Sequence, residues 1–86
     1  MEVRFSRQFV KQYNRAPVRI RQAFNNRLKI FFMNPYAFSL NNHQLLGKLK
    51  GLRSINVTGD WRALYSRQDG VLIVFEVLGT HSQLYK

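Results

Sequence analysis

The side chains able to do acid–base chemistry are concentrated near the end of the sequence. Gly59-Asp60-Trp61-Arg62 opens one strand-like run, and Gly79-Thr80-His81 closes the next, shortly before Tyr85. The other histidine, His43, lies upstream in a polar segment. An unperturbed imidazole has a pKa near ~6.5, so it can give or take a proton at neutral pH. We therefore predict that the catalytic residues are His81, Asp60, His43, Arg62 and Tyr85.

Arg62 is predicted to bind phosphate. Alternation along its strand places Arg62 and Leu64 on one face and Trp61 and Ala63 on the other. Facing away from a helix-covered core, Arg62 would present a guanidinium fork to a phosphate group. Basic and polar residues of the preceding segment extend this surface into a crescent, and we assign RNA binding to Lys48, Lys50, Arg53, Ser54 and Asn56.

Each of these residues also has a purely structural interpretation. His81 would then be held by backbone hydrogen bonds, and Asp60 would only close the turn that Thr58-Gly59-Asp60 favours. His43 and Arg62 would be ordinary surface side chains. The sequence leaves these alternatives open.

The predicted set matches what metal-independent RNA cleavage requires. A base removes the 2′-hydroxyl proton, cations stabilise the charged phosphorane, and an acid protonates the leaving 5′-oxygen. DNA lacks that hydroxyl, and the sequence has no carboxylate cluster for a two-metal nuclease. We therefore expect neither a metal nor another cofactor.

The composition points to an anionic partner. The 86 residues include 14 Lys and Arg but only 4 Asp and Glu, which gives a net charge of +10. Nucleic acid is the commonest partner for such a charge, although an anionic membrane or an acidic protein would feel the same field. Solubility alone is the alternative explanation, and it rarely requires so uneven a balance.

The composition also limits the class of protein. The absence of cysteine excludes a disulfide framework and a thiolate zinc site. No apolar run approaches the ~20 residues of a membrane span, and the N-terminus lacks the apolar core of a signal peptide. We expect a cytoplasmic protein without a membrane partner.

The N-terminal half predicts a helical hairpin after a short strand at Val3–Phe5. Ser6 is a good N-cap for a first helix, and Pro17 suits the first turn of a second helix that Asn34-Pro35 ends. Apolar residues follow one face of each helix at helical spacing: Phe9, Val10 and Tyr13 in the first, and Ile20, Phe24, Leu28 and Phe31 in the second.

The C-terminal half predicts strands. Residues 35–51 have no period and are interpreted as a functional loop. Strand patterns follow at Arg53–Val57, Trp61–Ser66 and Val71–Leu78, with an Asp69-Gly70 hairpin turn and a short edge strand at Leu84 and Tyr85. We predict a single α+β domain over residues 1–86, in which the helical hairpin packs on one face of a small twisted, mainly antiparallel β-sheet. The opposite face is left for a ligand.

Several motifs resemble a known toxin family. They are His43-x-Leu45-x-Gly47-x-x-Lys50-Gly51, Asp60-Trp61, Gly79-Thr80-His81 and the terminal aromatic Tyr85. Together they resemble the YafQ branch of the RelE/ParE superfamily, the toxins of type II toxin-antitoxin systems. The likeness is closest in the C-terminal half, and the N-terminal half agrees in length, basicity and helical-hairpin character.

The resemblance implies a RelE-like fold and a ribosome-dependent mRNA endoribonuclease, or mRNA interferase. Such a toxin cuts mRNA in the ribosomal A site, contacts ribosomal RNA, arrests translation and is neutralised by a cognate antitoxin. We expect that antitoxin to wrap the toxin with an amphipathic or acidic segment and to cover or displace elements of the site.

The resemblance also implies roles for individual residues. His43, Asp60, His81 and Tyr85 fall on active-site positions of the family, with His81 as general acid and Asp60 or His43 helping to activate the 2′-hydroxyl. Arg62 falls where the RelE branch carries a phosphate-binding arginine.

Two positions depart from the YafQ pattern, which has an acidic residue and a further histidine where this chain has Ser54 and Asn56. Either His43 and Asp60 suffice for catalysis, or the protein is a catalytically weakened RNA-binding toxin. A ParE-like DNA gyrase inhibitor is the other alternative. The three titratable groups at His43, Asp60 and His81 favour a nuclease, because a pure inhibitor has no need of them.

Overall fold

The computed structural model describes residues 1–85 as three helices and a five-stranded sheet. The helices are α1 (Arg7–Arg15), α2 (Val18–Met33) and α3 (His81–Leu84), and the strands are β1 (Glu2–Phe5), β2 (His43–Gln44), β3 (Arg53–Asn56), β4 (Trp61–Gln68) and β5 (Leu72–Thr80). Within these residues no helix has the length and apolarity that crossing a membrane requires.

The two long helices form the predicted hairpin. The Ser6 hydroxyl accepts a hydrogen bond from the Phe9 amide at 3.0 Å, which caps α1. Pro17 is the N-cap of α2, one position before its first helical residue. The Tyr13 hydroxyl donates to Asn25 Oδ1 at 2.8 Å and joins the two helices.

The sheet is mixed, with strand order β1-β5-β4-β3-β2. β1 runs parallel to β5, and the other neighbouring strands are antiparallel. Asp69 and Gly70 both have positive φ angles within the three-residue turn, residues 69–71, that joins Gln68 to its partner Leu72. The α+β prediction is confirmed, and β4 is the middle strand.

The hydrophobic core lies between the helical hairpin and one face of the sheet. Phe9, Phe24 and Phe31 of the helices pack with Tyr65 and Phe75 of the sheet. Trp61 and Ala63 also belong to this face, as alternation predicted. Arg62 therefore lies on the opposite face, which the hairpin does not cover.

The predicted edge strand at Leu84 and Tyr85 is wrong. Leu84 ends helix α3, and Tyr85 is its C-cap. The helix forms because the Thr80 hydroxyl accepts from the Gln83 amide while Gln83 Oε1 accepts from the Thr80 amide at 2.9 Å. The chain consequently turns over the end of β5 instead of extending along the sheet.

The predicted loop over residues 35–51 has more structure than its composition indicated. It contains two short 3₁₀ turns, at Phe38–Leu40 and Gly47–Leu49, and strand β2 between them. Leu40 and Leu45 are buried and anchor these turns to the body of the domain.

We expect Ser6→Ala to lower the free energy of unfolding by about 1–2 kcal/mol, because Ser6 serves two elements. Its hydroxyl caps α1 and also donates to the Glu76 carbonyl of β5 at 2.9 Å. Urea denaturation should show this loss, with Ser39→Ala at an exposed position as the control. Equal stability of the two variants would contradict the double role.

Candidate active site

Four of the predicted site residues lie in successive rows across the face of the sheet that the helical hairpin does not cover, here called the open face: His43, Ser54, Asn56 and Arg62. The first row pairs His43 with Ser54 and Ser54 with Leu64. The second pairs Asn56 with Arg62 and Arg62 with Gly79. Directly paired residues point to the same side of a sheet, so these rows share one surface. Rows two residues apart are separated by about 7 Å.

Asp60, His81 and Tyr85 form a cluster at one end of this surface. The His81 amide donates to the Asp60 carbonyl at 2.9 Å, and the Tyr85 amide donates to the His81 carbonyl at 3.0 Å. The rings of His81 and Tyr85 have their centroids 4.6 Å apart. All three residues are exposed. A backbone hydrogen bond therefore fixes the two titratable residues next to each other while their side chains remain accessible.

His81 is the first residue of α3, and this helix packs closely against Gly79. A Cβ atom built on Gly79 would lie 3.1 Å from Gln83 Oε1 and 3.3 Å from Leu84 Cδ2. A side chain at this position would crowd Gln83 and Leu84, so glycine favours the close approach of α3 to the end of β5. Gly79 is also paired with Arg62, so the cluster is held beside the arginine.

Arg62 is anchored at one nitrogen. Its Nη1 donates to the carbonyl of Thr58 at 2.8 Å and to that of Trp61 at 3.1 Å. The side chain is half-buried. These contacts restrict the guanidinium to the turn that precedes β4, which also carries Asp60, and a restricted cation binds phosphate with less loss of side-chain entropy.

His43 lies far from this cluster. Three strand spacings of about 4.8 Å and four residue steps of about 3.4 Å place the Cα atoms of His43 and His81 on the order of 20 Å apart along the sheet. Arg62 lies between them. His43 Nδ1 is 2.8 Å from the carbonyl oxygen of Asn41, and since a carbonyl only accepts, Nδ1 is the donor. Nε2 is then the nitrogen available to a ligand.

Ser54 and Asn56 form the floor of the surface. Ser54 is completely buried, and both its Oγ and Asn56 Oδ1 lack a hydrogen-bond partner within the part of the chain that the structure describes. Ser54 is among the predicted RNA-binding residues, but in this structure its hydroxyl is buried beneath the surface. Asn56 is only partly buried and reaches a groove at the edge of β3.

The predicted basic crescent is divided between two faces. Lys48 and Lys50 are exposed in and next to the second 3₁₀ turn. Arg53, however, is paired with Tyr65 of the core and therefore belongs to the helix side of the sheet. Its Nε donates to Asn42 Oδ1 at 2.8 Å, and its guanidinium lies 5.5 Å from the centroid of the Tyr36 ring.

Arg53 instead contributes to a second basic surface. It lines a groove of about 370 Å³ together with Lys50 and Arg67. Because β3 turns Arg53 away from Arg62, the two arginines cannot hold one phosphate group between them.

Sequence reasoning missed the residues that position the cluster. The spacing Thr80-x-x-Gln83 is a capping-box signature and could have predicted α3. The close contact at Gly79 has no local signal, because it depends on where α3 folds back. Among residues 1–85 no three His, Cys, Asp or Glu side chains lie close enough together to hold a metal ion.

The family model of the YafQ toxin, described as a bacterial toxin of a type II toxin-antitoxin system, matches residues 1–86. The chain belongs to the YafQ toxin family. No significant match was found among curated protein sequences.

Solved structures of this family share the fold. A crystal structure of YafQ from E. coli strain BL21(DE3) superposes with a TM-score of 0.82 at 27% identity, covering 99% of this chain and 98% of that chain. YafQ in the E. coli DinJ-YafQ complex gives a TM-score of 0.68 at 28% identity, with 99% and 98% covered. A YoeB/ParE toxin from Agrobacterium tumefaciens has the same fold, with a TM-score of 0.76, 19% identity and coverage of 94% and 99%.

We expect Gly79→Ala to lower the free energy of unfolding by about 1–3 kcal/mol, because the new methyl group crowds Gln83 and Leu84. Gly59→Ala is the matched control, since a Cβ at Gly59 meets no atom within 4 Å. Chemical denaturation compares the two variants. If they are equally stable, α3 does not depend on close contact with β5.

Proposed function

We propose that this YafQ-family toxin is a ribosome-dependent mRNA endoribonuclease that cleaves RNA without a metal. The observation that supports this most directly is the cluster of Asp60, His81 and Tyr85 beside Arg62 on the open face of the sheet. It places an acid–base pair, a cation and an aromatic ring where a single-stranded substrate has access.

In the proposed reaction the ribose 2′-oxygen attacks the adjacent phosphorus as the bond from phosphorus to the 5′-oxygen breaks. A base accepts the 2′-hydroxyl proton, and His81 gives a proton to the leaving 5′-oxygen. Arg62 stabilises the charge that develops on the phosphorane oxygens. The products are a 2′,3′-cyclic phosphate and a 5′-hydroxyl.

Position favours Asp60 over His43 as the base. Asp60 is held at the backbone of His81, whereas His43 lies about three strands away along the sheet. We assign the 2′-hydroxyl proton to Asp60. The Nδ1 atom of His43 bonds the Asn41 carbonyl, so its Nε2 atom is left to contact a neighbouring part of the substrate.

The charge of the protein supports an RNA substrate held on the ribosome. Among residues 1–85 one ion pair is present, between Arg4 and Glu2 at 2.6 Å. With a net charge of +10, most of the positive charge is therefore not neutralised within the fold. Such a surface binds mRNA and ribosomal RNA through their phosphates, and its affinity falls steeply with salt.

The same charge supports an antitoxin partner. Relatives have been solved as the E. coli DinJ-YafQ complex and as a YoeB-YefM complex from Staphylococcus aureus. We propose that a cognate antitoxin binds this toxin and covers the site through an acidic or amphipathic segment.

We predict that His81→Ala reduces the rate of mRNA cleavage by a factor of about 10²–10⁴, because the leaving oxygen loses its proton donor. Cleavage of a reporter mRNA in a purified translation system measures this. Circular dichroism and thermal unfolding verify that the variant is folded. Intact mRNA with the folded wild-type protein would reject the nuclease and favour gyrase inhibition or a weakened toxin.

We predict that His43→Ala reduces cleavage by a much smaller factor than Asp60→Asn, because Asp60 is the residue held beside His81. Single-turnover cleavage on programmed ribosomes separates the chemical step from binding. His43→Ala should mainly weaken binding. The assignment of the base is reversed if His43→Ala abolishes the chemical step while Asp60→Asn preserves it.

A further inference from the structure

We infer that residues 36–42 and Asn56 form a binding site for one unpaired RNA base next to the candidate active site. They enclose an open groove of about 420 Å³, lined among others by Tyr36, Phe38, Ser39, Asn41, Asn42 and Asn56. The inference rests on the proposed function, because it assigns part of the RNA substrate to this groove.

Phe38 is the aromatic surface on which the base stacks. Its side chain is fully exposed, although most phenylalanines of this protein are buried or half-buried. The turn that carries it is well anchored. The neighbouring Leu40 is completely buried, its amide donates to the Ala37 carbonyl at 3.0 Å, and the Asn41 amide donates to the Phe38 carbonyl at 3.1 Å. A fixed turn thus holds an apolar ring in water, which leaves a large stacking surface uncovered.

Tyr36 lines the same groove and contacts two arginines. The Arg53 guanidinium lies over its ring, and its hydroxyl accepts from Arg67 Nη2 at 3.3 Å. These contacts hold the tyrosine in place, and the two arginines themselves line the adjacent basic groove. A base entering here carries its phosphates into a positive field, which favours nucleic acid over a neutral ligand.

Asn56 provides the polar contact. Its Oδ1 is buried and has no hydrogen-bond partner among residues 1–85. Asn42, by contrast, already donates to the Pro35 carbonyl and the Tyr65 hydroxyl and accepts from Arg53. The Asn56 side chain as a whole is only partly buried and lines the groove, and the NH₂ group of an amide can donate to the edge of a base. Asn56 is therefore the residue available to a base.

The groove is continuous with the candidate active site. Asn56 is paired with Arg62 in the sheet, and the Asn41 carbonyl contacts His43 Nδ1. A base stacked on Phe38 and bonded to Asn56 would thus direct its strand past His43 toward Arg62. The groove positions RNA for cleavage and selects among bases at that position.

The test is binding of a short single-stranded RNA that carries 2-aminopurine, whose fluorescence falls when the base stacks. Phe38→Ala should weaken binding about 5- to 150-fold, as expected for the loss of one stacked base. Phe38→Trp should restore both binding and quenching. Phe32→Ala is the matched control, because Phe32 on α2 is 51% exposed and lies outside the groove.

The dependence on salt separates stacking from charge. Phe38→Ala should leave the slope of log affinity against log salt unchanged, whereas Lys48→Ala should reduce it by about 0.7 if that lysine contacts a phosphate. Asn56→Ala should weaken binding and change the preferred base at the cleavage position.

Two results would overturn the inference. One is that wild type, Phe38→Ala and Phe32→Ala bind RNA equally and, where the wild type cleaves, all three cut at the same sites. The other is a Phe38→Ala variant that binds RNA normally but loses antitoxin binding, which would make the groove a protein contact. If the wild type binds RNA through Phe38 but cuts no mRNA on ribosomes, the nuclease proposal fails and the base site stands.

Discussion

The packing of aromatic rings around Phe75 is the interaction on which the rest of this structure depends. Phe75 lies in β5, and five other aromatic rings have centroids within 5.9 Å of its own: Phe5, Phe9, Phe24, Phe31 and Tyr65. They come from β1, both long helices and β4. A domain of 86 residues has little core, and large rings bury the most area per residue. Collecting them on one face holds the two long helices there, and Arg62 lies on the opposite face.

Hydrogen bonds from this core hold segments at the edges of the domain in place. The buried Tyr65 accepts at its hydroxyl from Asn42, which also binds Arg53 and the Pro35 carbonyl. The segment that begins at Pro35 is thereby tied to the middle strand. On the opposite side of the domain, Gln12 of α1 accepts from the Leu78 amide of β5 at 2.8 Å. Both contacts fix backbone next to the candidate site, so the site is built on a rigid support although its own side chains are exposed.

Two features of this protein reduce its stability: its high net charge and the unpaired polar atoms on the open face. The protein carries a net charge of +10, and the floor of the open face contains polar atoms without hydrogen-bond partners among residues 1–85, at Ser54 and Asn56. Repulsion between like charges and unpaired polar groups both reduce stability. These costs are tolerable because the aromatic core on the other face supplies the stability. A bound polyanion or an acidic antitoxin segment would relieve the charge repulsion, which is a physical reason for the two proposed partners to compete.

The amino-acid sequence by itself determined the α+β class, the helical hairpin, the Asp69-Gly70 turn and the face on which Arg62 lies. These depend on local periodicity and turn chemistry, which neighbouring residues reveal. Only the tertiary structure showed that Arg53 lies on the opposite face from Arg62, and that α3 replaces the expected strand at Leu84. Strand pairing also decided that Asp60 adjoins His81 while His43 does not. Distances between separate strands depend on register across the whole sheet, and no local pattern contains that information.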